Sequence, residues 1–377
     1  MEKEIAKISL CCILNHAPHY RDSIFGLMDK EFDCSFYIGD KVVSPVKQMD
    51  FKKLNGFKKI FRTEWILGTT FMWNHDVVKL IFKKFDFYLI IGEPSIMSNW
   101  VILILAKVLN KKVFIWGHGI KDLSKNRLYW FERLFHRLAY KIFVYGNSAR
   151  NNMISLNYNQ EKIIPVYNSL NYSEQIQVRK TTGFSNIFKN YFKNSDPVII
   201  YVGRILFSKK LNLLIEALQM LHENGKKTNL VIVGPEIDDK SIPDLVNKLE
   251  LEEFVWFYGP CYEEKVLAEL FYNANINVTP GDIGLSAIHS LTYGCPVITH
   301  NNFHKHGPEF EIIEDEKTGS FFEENNVNDL VDKIKLWIDI NEEDKEKTKN
   351  YAFKLVKDKW NPINQLEIFN NTFKSSF

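Results

Sequence analysis

Two cationic residues follow a glycine at the end of an apolar run in the second half of the chain. The run ends in Tyr-Val-Gly-Arg, at Gly203 and Arg204, and Lys209 lies in the loop that follows. Cations placed beside a closely approachable backbone are suited to stabilise negative charge that grows on a departing group. Exposed lysines at the start of a helix would give the same sequence. The interpretation as a charge-stabilising site therefore depends on the signals that follow.

Those further signals come in a fixed order. Residues 231–234 (Val-Ile-Val-Gly) and 257–259 (Phe-Tyr-Gly) each end another apolar run in glycine. Residues 279–285 (Thr-Pro-Gly-Asp-Ile-Gly-Leu), 293–297 (Tyr-Gly-Cys-Pro-Val) and 318–319 (Thr-Gly) complete the series. Glycines at strand ends allow a ligand to approach the backbone.

The segment 280–289 is predicted to be a loop that opens into a helix. Backbone N–H groups at such a helix start bind phosphate well, and Asp282, Ser286 and His289 are spaced to share one face. Two plainer interpretations stay open. Asp282 caps the helix, and His289 is a hydrogen-bonded core histidine.

The whole series resembles the nucleotide-sugar half of the GT-B glycosyltransferases, in particular the retaining family 4 (group 1) enzymes. The resemblance implies that Arg204 and Lys209 contact the donor diphosphate and that the loop at 257–260 holds the nucleobase through main-chain groups. Our candidate donor-side residues are Gly203, Arg204, Lys209, Tyr258, Gly259, Asp282, Ile283, Gly284, Leu285, His289, Glu309 and Glu311.

The chain departs from that family at the sugar end of the site. The family carries two glutamates separated by seven residues, and the matching positions here are Gly281 and His289. Asp282, Glu309 and Glu311 are candidate replacements, and Glu311 matches a family glutamate at a helix start. Lys210 also stands where the family usually has glycine.

Three histidines, His300, His304 and His306, precede this glutamate pair. Histidines on a loop flanked by Gly and Pro, without partnered ligand spacing, are more often not metal ligands. The resemblance likewise implies no metal in the active site. We therefore expect no cofactor and no metal, with the nucleotide sugar as a substrate.

The first half contains its own candidate residues at predicted strand ends. His19 and Arg21 follow the first strand, where Arg21 is suited to an acceptor phosphate or carboxylate or to capping the next helix. His118 lies between two glycines, at a position where the family frequently has a cleft histidine near the transferred sugar. Glu93 follows another strand and is either a site carboxylate or a helix cap.

Charge is distributed unevenly along the 377 residues. Residues 1–180 hold 27 Lys+Arg against 16 Asp+Glu, a net +11, while the whole chain is +2. The basic and aromatic segment 51–62 fits an anionic membrane surface or a polyanionic acceptor, or else a lysine-rich solvated face over buried aromatic rings. No recognition motif accompanies the charge, so nucleic acid is not expected.

Alternating apolar runs and amphipathic stretches predict an α/β fold of two doubly wound, Rossmann-like parallel-sheet domains. The expected strands are 8–14, 34–38, 87–91, 113–116, 142–145, 163–167, 198–202, 230–233, 255–258, 276–279, 297–299 and 320–322. A helix is expected over 184–192 from its apolar face. The expected domains are 1–175 (acceptor side), 176–357 (nucleotide-sugar side) and a helix within 358–377 that crosses back to the first domain.

These observations predict a glycosyltransferase that moves a sugar from a nucleoside-diphosphate sugar to a glycan or lipid-linked saccharide hydroxyl, with retention implied by the resemblance. Five cysteines without ligand spacing and an N-terminus unlike a signal peptide predict a cytoplasmic protein, acting at the inner membrane face. The alternatives are a GT-B sugar-nucleotide epimerase and a catalytically inactive GT-B subunit that binds a nucleotide or a partner.

Overall fold

The computed structural model describes residues 7–41, 47–120, 129–236 and 238–377, with the side chain of Tyr129 outside this description. The chain divides into two compact units. The first comprises Met1–Asn171 together with Asn361–Phe377, and the second comprises Tyr172–Trp360. Each unit is an α/β structure built around its own parallel sheet.

Fifteen strands are formed by the described residues. They are β1 (Ser9–Leu14), β2 (Asp33–Gly39), β3 (Phe57–Phe61), β4 (Thr63–Ile66), β5 (Phe71–Asn74), β6 (Phe87–Ile91), β7 (Val113–Gly117), β8 (Lys141–Val144), β9 (Ile163–Pro165), β10 (Val198–Val202), β11 (Asn229–Val233), β12 (Val255–Gly259), β13 (Ile276–Val278), β14 (Val297–His300) and β15 (Gly319–Phe322). Their continuous apolar sequences fit sheets that are covered on both faces.

Thirteen α-helices connect or cover these strands in the described part of the chain. They are α1 (Asp22–Glu31), α2 (Met97–Val108), α3 (Tyr129–Leu138), α4 (Asn147–Ser155), α5 (Tyr172–Thr181), α6 (Ile187–Phe192), α7 (Leu211–Glu223), α8 (Ile242–Lys248), α9 (Glu264–Asn273), α10 (Ser286–Thr292), α11 (Val327–Ile338), α12 (Glu342–Asp358) and α13 (Pro362–Lys374). None of the described helices is long and apolar enough to cross a membrane.

The sheet of the first unit has the order β3-β2-β1-β6-β7-β8-β9, and its strands pair in parallel. Because all carboxyl ends lie at one edge, the segments after β1, β6, β7 and β8 come together there. A separate antiparallel hairpin is formed by β4 and β5.

The last helix, α13, belongs to the core of this first unit. Asn361 caps it by accepting hydrogen bonds from the N–H groups of Ile363 and Asn364. Phe369 packs edge-on against Trp116, and Phe373 stacks on Phe87, with both phenylalanines fully buried. Aromatic burial of this size fixes the helix on the sheet.

The sheet of the second unit has the order β12-β11-β10-β13-β14-β15, again all parallel. Its central strand β10 is flanked by β11 and β13. Buried aliphatic side chains of α7, α8 and α11 cover one face, and α6 and α9 contribute to a second cluster. This arrangement places the loops after β10, β11, β12 and β13 along one edge.

The predicted fold class and all twelve predicted strands are confirmed, each within two residues of its predicted bounds. The predicted helix over 184–192 begins too early. Helix α6 starts at Ile187, after Ser185 Oγ accepts a hydrogen bond from the Ile187 N–H, and Phe184 lies outside it with 87% of its surface exposed.

The structure also adds elements that the sequence analysis did not predict. Strand β3 and the β4–β5 hairpin occupy the basic, aromatic segment and its continuation. Lys53 and Lys59 pair with Asp50 and Asp76 on the surface, while the rings of Phe51 and Phe57 pack together. This arrangement has the features of a solvated lysine face over packed aromatic rings.

Candidate functional site

The strand ends of β10 and β11 meet through two glycines. A Cβ on Gly234 would lie 1.8 Å from the Gly203 carbonyl oxygen, so Gly234 leaves no room for any side chain. The buried Tyr201 hydroxyl donates to the Arg204 carbonyl at 2.7 Å. Together these contacts fix the main chain that presents the Arg204 side chain.

Arg204 and Lys209 have different environments. The half-buried guanidinium of Arg204 forms no ion pair with any residue that the structure describes. Lys209 Nζ, by contrast, lies 3.1 Å from Asp282 Oδ2 and also donates to the Asp282 carbonyl oxygen. The site therefore holds one unpaired cation and one cation with an internal counter-ion.

Lys210 adopts the left-handed conformation that usually favours glycine. Its φ is 51° and its ψ is 42°, directly before α7 begins. Its ammonium group lies 2.6 Å from Glu324 and 2.7 Å from the Asn325 side chain, and Lys305 also pairs with Glu324. These two lysines hold the pKa of the Glu324 carboxyl well below its usual range. The ion pair offsets part of the cost of a non-glycine residue here.

The glycine at position 281 is required by the packing. A Cβ there would lie 1.9 Å from the Ser208 carbonyl oxygen and 2.5 Å from Lys209 Cα. The loop after β13 thus contacts the turn Phe207–Lys209 backbone to backbone. No side chain, and so no glutamate, fits at this position unless one of the two loops moves.

Asp282 does not cap the helix that follows it. Helix α10 begins at Ser286, and its N-cap Leu285 makes no side-chain capping bond. One carboxylate oxygen of Asp282 pairs with Lys209, and the other is buried without a partner, as is the hydroxyl of Thr279. Buried polar atoms without partners are uncommon in folded proteins and mark this loop as a place where a polar ligand fits.

A histidine secures the same loop from the other side. His306 Nδ1 accepts from the Ile283 N–H at 3.1 Å, and its Nε2 lies 2.8 Å from the His300 carbonyl oxygen. The Gly307 N–H donates to the Ile283 carbonyl at 2.7 Å. The rings of His300 and His306 stack 4.0 Å apart, and burial lowers the pKa of His300 to about 4.

The remaining predicted donor-side residues lie around this loop. Glu309 is buried, and its Oε2 lies 3.8 Å from the place where a Cβ on Gly284 would be. Glu311 is half-buried in the same short helix, Pro308–Ile312, whereas His304 is exposed. Among the described residues, no group of three or more His, Cys, Asp or Glu is placed to hold a metal ion.

His289 is paired with a carboxylate that the sequence analysis missed. Its Nε2 lies 2.8 Å from Glu264 on α9, and the Tyr293 hydroxyl lies 2.5 Å from the same carboxylate oxygen. Although burial acts to raise it, the pKa of Glu264 is lowered by these bonds. The position of the second family glutamate thus holds a histidine whose partner carboxylate comes from a neighbouring helix.

Tyr258 and Gly259 lie at the end of β12. Gly259 has a φ of 85°, and its carbonyl accepts from the Gly234 N–H at 2.9 Å. Tyr258 is half-buried beside Trp256, with ring centres 5.1 Å apart. The loops after β11 and β12 are therefore joined through main-chain groups.

The first-unit candidates lie at the carboxyl edge of their own sheet. His118 is exposed, with its ring 4.9 Å from that of Tyr145. Gly117 approaches Gly92 so closely that a Cβ would lie 3.1 Å from the Gly92 carbonyl oxygen. The two glycines therefore pack these strand ends against each other.

His19, Arg21 and Glu93 have separate surroundings. His19 is exposed, and its Nδ1 lies 3.2 Å from the Lys47 carbonyl oxygen. Arg21 donates to the Tyr145 hydroxyl. Glu93 is half-buried and does not cap α2, whose N-cap is Ile96. The structure brings Arg21 and His118 together around Tyr145.

The fold and the strand-end loops define a GT-B glycosyltransferase structure. Residues 184–355 match the family described as Glycosyl transferases group 1, so the second unit carries a domain of that family. The resemblance found in the sequence is thereby confirmed, since the matched segment contains all the donor-side signals from Gly203 to Thr318.

Individual proteins agree with this assignment. Over 141 residues the chain is 26% identical to the poly(ribitol-phosphate) alpha-N-acetylglucosaminyltransferase of Staphylococcus aureus (strain COL), covering 37% of this chain and 28% of that protein. The Anabaena protein HepE in complex with UDP has a similar fold, with a TM-score of 0.71, 15% identity, and coverage of 97% and 99% of the two chains. The lipopolysaccharide outer core galactosyltransferase WaaB has a TM-score of 0.68 at 15% identity, with coverage of 98% and 100%.

Proposed function

We propose that this chain is a nucleotide-sugar-dependent glycosyltransferase of cell-surface polysaccharide biosynthesis. It would transfer a sugar from a nucleoside-diphosphate donor to a hydroxyl of a glycan or lipid-linked saccharide. The observation that carries the proposal is Arg204, a half-buried cation without an ion-pair partner in the described structure, within a group 1 glycosyltransferase domain.

In this proposal the departing nucleoside diphosphate meets Arg204 first. Its negative charge increases as the bond to the sugar breaks, and a fixed guanidinium stabilises that charge with two parallel hydrogen bonds. Lys209 supplies a second cation and stays oriented by Asp282, 3.1 Å away. The glycine contact between Gly203 and Gly234 keeps both strand ends free of side chains beside the phosphates.

Glu309 is our candidate for the carboxylate at the sugar end. It is 4% exposed and lies against Gly284, in the loop that follows β13. Since Gly281 cannot carry a side chain, a carboxylate from the neighbouring short helix is the available replacement. In the first unit, His118 is the candidate hydrogen-bonding group for the transferred sugar.

The named relatives support the substrate class. The HepE structure contains UDP, and WaaB is named for lipopolysaccharide outer core synthesis. The Staphylococcus aureus relative is named for transfer of N-acetylglucosamine to poly(ribitol-phosphate). These names favour a uridine diphosphate donor and a cell-envelope acceptor for this chain.

The function is tested by transfer from radiolabelled nucleotide sugars with the intact chain and an Arg204→Ala variant. We expect Arg204→Ala to lower turnover by on the order of a hundredfold or more, because the lost interaction acts on the departing group. A matched Lys248→Ala variant removes an exposed cation of the same unit and should keep its activity. Equal turnover of Arg204→Ala and the unmodified chain, both folded, would contradict the proposal.

One observation favours a second candidate, a nucleotide-binding subunit without transferase activity. Both family glutamate positions are changed, to the closely packed Gly281 and to the Glu264-paired His289. Such a subunit would bind a nucleoside diphosphate but neither transfer nor hydrolyse the sugar. A sugar-nucleotide epimerase would instead convert the donor itself, so analysing the products separates all three.

A further inference from the structure

Arg21 is a cation of the first unit that forms no ion pair with any residue that the structure describes. It immediately precedes α1, is half-buried, and has its guanidinium carbon 4.4 Å from the ring centre of Trp116 and 5.4 Å from that of Tyr145. No carboxylate of the described chain forms an ion pair with it. A partly buried charge without a counter-charge is costly, because the lost hydration is not replaced.

Hydrogen-bond donors around Arg21 also lack acceptors. Arg21 Nε and Trp116 Nε1 are both buried and have no partner in the structure. Both groups are donors only, so a ligand must supply the acceptor. An unsatisfied buried donor is unfavourable, because the hydration that it loses on burial is not replaced.

Two further groups complete the cluster. The Tyr145 hydroxyl accepts from Arg21, and burial raises its pKa to about 12, so its own hydrogen remains to be donated at neutral pH. His16 Nδ1 is buried without a partner, and burial together with Arg21 lowers the pKa of this imidazole. The N-terminus of α1 adds positive potential at the same place.

We propose that Arg21, Trp116, Tyr145 and His16 form a binding site for an anionic oxygen group, a phosphate or a carboxylate. Such a group offers several acceptor lone pairs and one negative charge, and the planar guanidinium matches its geometry. The role that we give to this site rests on the proposed function. In a glycosyltransferase, the group belongs either to the acceptor saccharide or to the donor diphosphate.

The site adjoins the predicted sugar-contacting residue of the same unit. The exposed ring of His118 lies 4.9 Å from Tyr145, which itself contacts Arg21. Tyr145 therefore links an anion site to His118 within one sheet edge. A substrate that is charged near its reactive hydroxyl would be recognised at both residues.

Thermal unfolding of the intact chain with added inorganic phosphate, or with acetate, tests the site. At constant ionic strength we expect a saturable rise in Tm, because a ligand that binds only the folded state stabilises it. Arg21→Gln should abolish the rise, and Arg21→Lys should keep only part of it. Lys58→Gln, which removes an exposed cation of the same unit, should behave like the unmodified chain. A rise that does not saturate, or that Arg21→Gln retains, would overturn the proposal.

Repeating the phosphate titration with saturating UDP distinguishes the two sources. Loss of the phosphate effect assigns the site to the donor diphosphate, and an additive effect assigns it to an acceptor group.

If Arg21→Gln does not fold, NMR titration of His16 in the unmodified chain replaces it. A bound anion should raise the pKa of His16, and an unchanged pKa would contradict the site. Phosphate binding is measured without any sugar transfer. A negative result here can therefore be distinguished from a negative result in the transfer assay that tests the proposed function.

Discussion

At the scale of single residues, Gly281 explains the chain's largest departure from its family. The sequence shows only that a glutamate is missing there, and it does not show why. In the structure, the carbonyl oxygen of Ser208 occupies the space that a side chain would need, 1.9 Å from a Cβ at this position. In this chain the two loops therefore leave no room for a side chain at position 281.

Gly281→Ala is predicted to destabilise the chain by roughly 1–3 kcal/mol, because overpacking forces the backbone to move. Gly281→Glu should be at least as damaging and should not restore a family-like site. Gly183→Ala is the matched control, since a Cβ there meets nothing within 4 Å. The measurement is chemical denaturation of all three variants. An unchanged stability of Gly281→Ala would show that the two loops are not packed in this way.

Other residue-level features show the limits of the sequence. The ordered series from Gly203 to Gly319, through its resemblance to the group 1 enzymes, predicts a diphosphate site at Arg204 and Lys209, and this site remains a prediction. The partners of the side chains were not predictable, because they depend on contacts between loops distant in sequence. Glu264, which pairs with His289, and Trp116, which lies beneath Arg21, are two residues whose roles emerge only in the folded units.

At the scale of elements, one loop depends on a buried histidine that holds its main chain through hydrogen bonds. His306 and the following Gly307 hold both main-chain groups of Ile283 between β13 and α10. In the sequence, His306 stands close to His300 and His304, and this pattern raised only the question of whether the three histidines bind a metal. The hydrogen bond between His306 and Ile283 joins residues that are 23 positions apart, so no local sequence pattern reveals it.

This contact predicts that donor binding weakens in acid. Burial lowers the pKa of His306 from its ordinary value of 6.5, and the neutral Nδ1 accepts from Ile283. Because the folded pKa is the lower one, the contact is fully present above pH 6.5 and is lost as the pH falls through the lowered value. We expect the affinity for a nucleotide sugar to fall about tenfold from neutral pH to the acidic side of this transition, the loss of about one hydrogen bond.

Calorimetric titration across this pH range measures the effect with a nucleotide sugar, whose diphosphate does not titrate there. His306→Asn should bind weakly at every pH, while His304→Asn, which changes an exposed histidine, should keep the acid dependence. Equal acid dependence in His306→Asn and the unmodified chain would assign the effect to another group.

At the scale of the whole molecule, the sequence was most informative where apolar runs are long. All twelve predicted strands belong to the two parallel sheets, and most of them are buried along their length. Strand β3 and the β4–β5 hairpin were missed because their sequences are short and rich in charged or exposed residues, which gives no clear period. The aromatic pattern of the last helix was visible, but its contacts with Phe87 and Trp116 were not.

The charge imbalance of the chain is also a whole-molecule property. The first half is strongly basic, yet part of its surface charge is paired, as in Lys53 with Asp50 and Lys59 with Asp76. Arg21 differs from these lysines because it is half-buried and has no carboxylate partner in the described structure. Its charge is therefore available to a ligand, whereas an anionic membrane surface remains a prediction for the exposed lysines.

The most direct test of the central claim is calorimetric titration of the intact chain with UDP, GDP, CDP and dTDP. We expect at least one of them to bind with a micromolar Kd, about −8 kcal/mol. We also expect Arg204→Ala to weaken that binding by about tenfold or more, through loss of a charge-assisted contact. Absence of binding by all four nucleotides, or equal binding by the folded Arg204→Ala variant, would contradict the assignment of these strand ends as a nucleoside-diphosphate site.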